Sequence, residues 1–142
     1  MEKLKRTARE LDDQHAQIAC LAREAEFLAR AGYAPALHRL LNELSLRLKE
    51  HFEDEERLLQ VLEYDALDAH VDAHLALTEG LANLLMSVSR GAAAAMDVQK
   101  FIAGQLRGHF LTGDADVDQF VKWKLQGDPS APTPDTGTSG QT

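Results

Sequence analysis

Most of this chain's histidines stand inside stripes of leucine, not opposite them. The clearest stripe holds Leu37, Leu40, Leu41, Leu44, Leu48, His51, Glu55 and Leu58 at three- and four-residue spacing, the repeat of one helix face. At about 100° per residue, His51 lies within roughly 20° of Leu44 and Leu58. A helix with such a stripe must bury it against other helices. A polar ring buried along with it must find a partner. The stripe therefore predicts helices packed around a cluster of imidazoles.

Punctuation divides the chain into four such helices. The first is predicted from about Thr7 to Ala31 and ends at Gly32, a good helix-ending residue. Pro35 suits the first turn of the second. Tyr64 and Asp65 mark the next break, with Asp65 as candidate N-cap. The third carries Leu67, His70, His74, Leu77, Leu81, Leu84 and Val88, and Gly91 ends it. After an Ala-rich connection, Asp97 can cap the fourth, with Met96 and Phe101 spaced as a hydrophobic staple. That helix runs through Ile102, Leu106 and His109 to Thr112-Gly113. A short fifth segment, about Val117 to Leu125, brings Phe120, Val121 and Trp123 over one end. The reading is an all-α, up-down-up-down four-helix bundle over residues 1–126. Residues 127–142 contain no large apolar side chain and are read as a disordered Gly/Pro/Ser/Thr tail or linker, able to join a protein partner or fused domain.

Composition narrows the function. At 142 residues the chain is one domain, and its net charge of -8 leaves no basic stripe for nucleic acid and would repel an anionic membrane surface. No apolar run approaches the roughly 20 residues that span a bilayer. The start of the chain is charged and shows no leader pattern. Cys20 is the single cysteine, which excludes a thiolate cluster and suits a reducing compartment; the cytoplasm is the expected location.

The spacing allows specific chemistry. His51/Glu55 and His70/His74 are each four apart, so each pair aims at one point. His109 and Asp114 are five apart, about 140° on an unbroken helix. A left-handed Gly113 would end the helix and swing Asp114 back toward the core. With His15 upstream, five imidazoles and two carboxylates are available. This set suits iron, manganese, zinc or copper and disfavours calcium and magnesium, which want oxygen cages. Seven ligands suit two ions bridged by both carboxylates, three histidines on one and two on the other, leaving one position open.

At these residues the chain resembles the hemerythrins. The shared motifs are H-F-x-x-E-E at His51 to Glu56, Tyr64 after the second helix, H-x-x-x-H at His70 to His74, H-x-x-x-x-D at His109 to Asp114, and Asp12-Asp13-Gln14-His15 upstream, over roughly Leu11 to Trp123. The resemblance implies a non-haem di-iron centre with an oxo or hydroxo bridge. His70, His74 and His109 would hold one iron, His15 and His51 the other, with Glu55 and Asp114 bridging. It implies reversible binding of dioxygen, with Ile18, Gln105 and Leu106 lining the gas pocket. The family usually has tryptophan where this chain has Gln105. The family's N-terminal arm is missing, and the tail has no counterpart in a minimal oxygen carrier.

Blander readings apply elsewhere. His38, about 140° from His51 on its helix, is expected to be exposed and no ligand. Cys20 is read as a small packing residue. Glu53, Asp54 and Glu56 are read as a solvated acidic face, and Phe27, Phe52, Phe110 and Tyr64 as packing. The first expectation is thus a binding protein and no enzyme, serving oxygen storage, delivery or sensing. The alternatives are a di-iron enzyme reducing peroxide, nitric oxide or oxygen, and an iron-handling protein.

Overall fold

A computed structural model describes residues 2–32, 34–91 and 95–126, and every element among them is helical. Helix α1 spans Glu2–Ala31, α2 Ala34–Val61 and α3 Leu67–Ser89. A short α4, Ala95–Gln99, runs without a break into a π-helical segment, Lys100–Leu106, and then into α5, Arg107–Leu111; α6 is Gly113–Gln126. The tail expected at 127–142 and the Ala-rich connection at 92–94 lie outside the described residues. Helix α1 packs against α2 and α4, and α3 packs against α2 and the π-helical segment. None of the helices described is long and apolar enough to cross a membrane.

The helix ends show where local chemistry met expectation. Gly32 and Gly91 take positive φ (79° and 71°) just past α1 and α3, as helix-terminating glycines do. Helix α2 ends without glycine. Glu63 adopts the left-handed conformation, φ 61°. Its N–H bonds to the Gln60 carbonyl at 3.1 Å and the Tyr64 N–H to the Leu59 carbonyl at 3.0 Å, the paired bonds of a Schellman motif. Tyr64 then packs on the cluster that holds Leu59.

Other starts and stops differ from the expectation. Helix α1 begins at Glu2, ahead of Thr7, and α6 begins at Gly113, ahead of Val117. Asp65 does not cap α3; the cap position is Ala66 and makes no side-chain bond, while Asp68 supplies the negative charge of the first turn. Asp97 lies inside the first turn of α4, one residue past Met96. Met96 is 63% exposed while Phe101 is buried, so the staple is not formed.

The core has two parts. One cluster includes Ile18, Leu41, Leu44, Leu81, Ile102 and Leu106, all essentially inaccessible. The second gathers Leu11, Leu58, Leu59, Leu62, Val117, Val121 and Leu125. Near the first, Gly80 admits a close approach between helices. A Cβ there would stand 2.9 Å from Gln105 Oε1 and 3.3 Å from the Phe101 ring. The polar residues of interest interrupt these apolar stripes, on α2, α3, α5 and α6.

Candidate metal centre

Helix α2 contributes His51 and Glu55 one turn apart, α3 His70 and His74 one turn apart, α5 His109 and α6 Asp114. All six side chains are buried, the most exposed being Asp114 at 9%. Their donor atoms converge in two groups that share one residue. His70, His74, His109 and Asp114 form the first, and His51, Glu55 and Asp114 the second, each with its donor atoms within 4.8 Å of one another.

Glu55 also spans the two groups. Its Oε1 accepts from His70 Nε2 at 2.7 Å and lies 3.2 Å from His74 Nε2, while its Oε2 faces His51 Nε2 at 3.9 Å. Asp114 Oδ1 lies 3.0 Å from His109 Nε2 and 3.4 Å from His70 Nε2. Both carboxylates therefore face imidazoles of more than one helix.

Four of these buried atoms, His51 Nε2, His74 Nε2, His109 Nε2 and Asp114 Oδ1, have no hydrogen-bond partner. One such orphan is costly and rare. Four gathered in two adjoining groups are explained by a bound cation that would accept their lone pairs. The nitrogen and oxygen donors fit a transition metal.

The outer hydrogen bonds fix the ring tautomers. Gln14 Nε2 donates to Asp54 Oδ2 at 2.9 Å, so the Gln14 Oε1 that faces His51 Nδ1 at 3.0 Å must accept the proton from it. Asp54 is held in turn by Arg57. His74 Nδ1 donates to Glu56 Oε2 at 2.6 Å. Each ring thus keeps its proton on Nδ1 and presents a bare Nε2 to the centre, the arrangement that orients metal-binding imidazoles. Phe52 lies flat on the His74 ring at 3.8 Å.

Electrostatics follow from the same contacts. Burial alone would raise the pKa of Glu55, but the hydrogen bond from His70 and the nearby His74 ring outweigh it and hold the carboxyl below its usual range. Asp114 is likewise pushed down, His109 and His70 overcoming its burial. Burial opposes the charged form of His70, yet the two carboxylates that face it, Asp114 and Glu55, raise it to about 9. Burial lowers His51 despite the nearby carboxylates.

The remaining sequence-derived residues are placed differently. His15 is half-buried, tilted against Phe110 at 4.0 Å and stacked 6.1 Å from His51, and belongs to neither converging group. Ile18 and Leu106 are buried in the larger apolar cluster. Gln105 is exposed. Within the wide π-helical segment the inward positions are Phe101, Ile102 and Leu106, so the inner face is regained after five residues and Gln105 falls outside it. Gly113 is not left-handed. The break falls at Thr112, and Asp114 reaches the centre from the first turn of a new helix. His38 is half-buried, not exposed, and Cys20 is exposed beside Arg23.

Sequence reasoning passed over Glu56, Asp54 and Gln14 as supports. Their signal was adjacency: Gln14 precedes His15, and Glu56 follows Glu55 about 100° round the helix, toward α3. A cleft of about 450 Å³ between α1 and α6 reaches His15, His51, Glu55 and Asp114. A family model described as the hemerythrin HHE cation-binding domain matches residues 4–117. No curated protein and no solved structure matches the chain.

Proposed function

The chain belongs to the hemerythrin HHE cation-binding family, and from that premise we propose that its metal centre is a pair of iron ions that binds dioxygen reversibly, for storage, delivery or sensing. The carrying observation is the shared geometry: two converging groups meet at Asp114, and Glu55 turns one oxygen toward each. His70, His74 and His109 would hold one iron and His51, joined by His15, the other, with Glu55 and Asp114 between them. When bound, two ferrous ions supply the electrons on which reversible oxygen binding draws.

The protein's own residues do the rest. Gln14 and Glu56 hold the His51 and His74 rings with Nε2 inward. Phe52 and the apolar cluster shield the three-histidine side from water. We read the chain as a binding protein in the cytoplasm, not an enzyme. Cys20 as the single cysteine suits that compartment. One observation favours the second reading, a di-iron enzyme that reduces peroxide, nitric oxide or oxygen: the cleft opens the His51 side to solvent.

Absorption spectra separate the readings. Anaerobic ferrous protein exposed to air should gain a visible charge-transfer band and lose it under argon, over repeated cycles. One-way conversion to the ferric state would support the enzyme. Purified protein without iron, by elemental analysis, would support metal handling.

A further inference from the structure

The cleft between α1 and α6 is larger than a diatomic gas requires. At about 450 Å³ it falls in the range of sites that hold small organic molecules. Its inner end is formed by His15, His51, Glu55 and Asp114, where His51 Nε2 and Asp114 Oδ1 stand buried without a partner and where an anionic head group needs the bound cation to offset the two carboxylates. From there Val117, Val121 and Leu125 follow Asp114 outward along one face of α6, and Leu11 and Ala8 follow His15 along α1. At 1.5 Å per residue, the stretch from His15 to Lys5 measures roughly 15 Å. The mouth carries Lys5, Arg9 and Lys122 against two carboxylates, Asp12 and Asp118, the latter paired with Lys122 at 3.0 Å. The site is long, polar at its inner end, apolar along its walls and slightly cationic at its opening.

We propose that this cleft binds an organic monocarboxylate with an apolar tail, its head at the His51 end and its tail along Val117, Val121 and Leu125. The mouth cations draw the anion in. The head-group half of the proposal rests on the metal centre described above; the tail half does not. The chain's own residues 127–142, which follow the cleft residue Gln126, contain no large apolar side chain with which to fill these walls.

Octanoate titrated calorimetrically into the metal-loaded full chain tests this, with acetate as the head-only control. Octanoate should bind more than about a hundredfold tighter than acetate, since each buried methylene contributes roughly fourfold. Ala8→Trp should weaken octanoate at least about tenfold by filling the cleft, with metal content unchanged. Lys5→Glu, at an exposed position that leaves folding alone, should weaken it severalfold at low salt and less at high salt. Equal affinities for octanoate and acetate, or wild-type affinity in both variants, would overturn the proposal. So would failure of octanoate to bind together with shifts of the 127–142 amide resonances in Ala8→Trp, which would assign the cleft to that segment. Elemental analysis separates the two readings: a chain without metal that still selects octanoate through Ala8 removes the metal centre and keeps the cleft.

Discussion

The two sides of the metal centre use the same donor types and differ in enclosure. On one side His70, His74, His109 and Asp114 converge, with Phe52 stacked on His74 and Glu56 behind it. On the other, His51 and Glu55 converge with Asp114 beside a cleft, and half-buried His15 lies outside both groups. The difference follows from how the donors are delivered. His70 and His74 share one face of one helix, so α3 alone places two ligands. The open side draws His15 and His51 from separate helices, α1 and α2, and borders the gap between α1 and α6. Enclosure favours holding an ion, and the gap favours reaching it.

Removing a donor from each side should expose this asymmetry most strongly. His74→Ala is expected to leave at most one equivalent of metal and to lower the melting temperature of the loaded chain by about 10 °C. His15→Ala should keep at least one equivalent and melt closer to the parent. Elemental analysis and calorimetry giving equal losses for the two variants would erase the distinction. Next come the outer supports. Glu56→Ala and Gln14→Ala should each cost about 10–100-fold in metal affinity measured against a competing chelator, and unchanged affinity would show that ring orientation needs neither.

The pH dependence of the metal-free chain is a smaller, signed effect. His70 has a folded pKa of about 9, above its unfolded value of about 6.5. Its stabilisation is therefore complete below pH 6.5 and fades as pH rises through about 9, about 3 kcal/mol in full. His51 is lowered by burial, so it costs stability as pH falls below 6.5. The metal-free melting temperature should peak near pH 6.5 and decline toward pH 9. Metal affinity should climb over the same interval as His70 gives up its proton. A melting temperature that rises from pH 6.5 to 9 would contradict the placement of His70 between two carboxylates. The smallest effect lies away from both sides. Glu63→Gly relieves the left-handed residue after α2 and should add about 0.5–1 kcal/mol by chemical denaturation, with metal content unchanged.

The helical class and the buried donors were legible because the three- and four-residue period carries both. His51, Glu55, His70 and His74 could be paired from spacing alone. Asp114 was legible as a donor for the wrong local reason, since the turn that delivers it breaks at Thr112 and leaves Gly113 helical. Gln105 was misplaced because counting in fours assumes a uniform helix, and no residue in Lys100–Leu106 announces a wide turn. Glu56 and Asp54 were hidden in an acidic run whose members face different helices, which composition cannot sort. Glu63 gave no sign because a left-handed glutamate is set by the surrounding packing, not by its own preference.

The wide turn ahead of His109 has a consequence for how this chain tolerates change in length. Its Arg107 N–H reaches back five residues to the Ile102 carbonyl, one more than an ordinary turn needs. The segment thus stores a spare residue as slack. Losing exposed Gly104 would draw the coil tight and leave the imidazole downstream aimed inward, whereas a deletion in the regular coil of α2 between Leu44 and His51 would swing His51 and Glu55 by about 100° relative to the start of that helix.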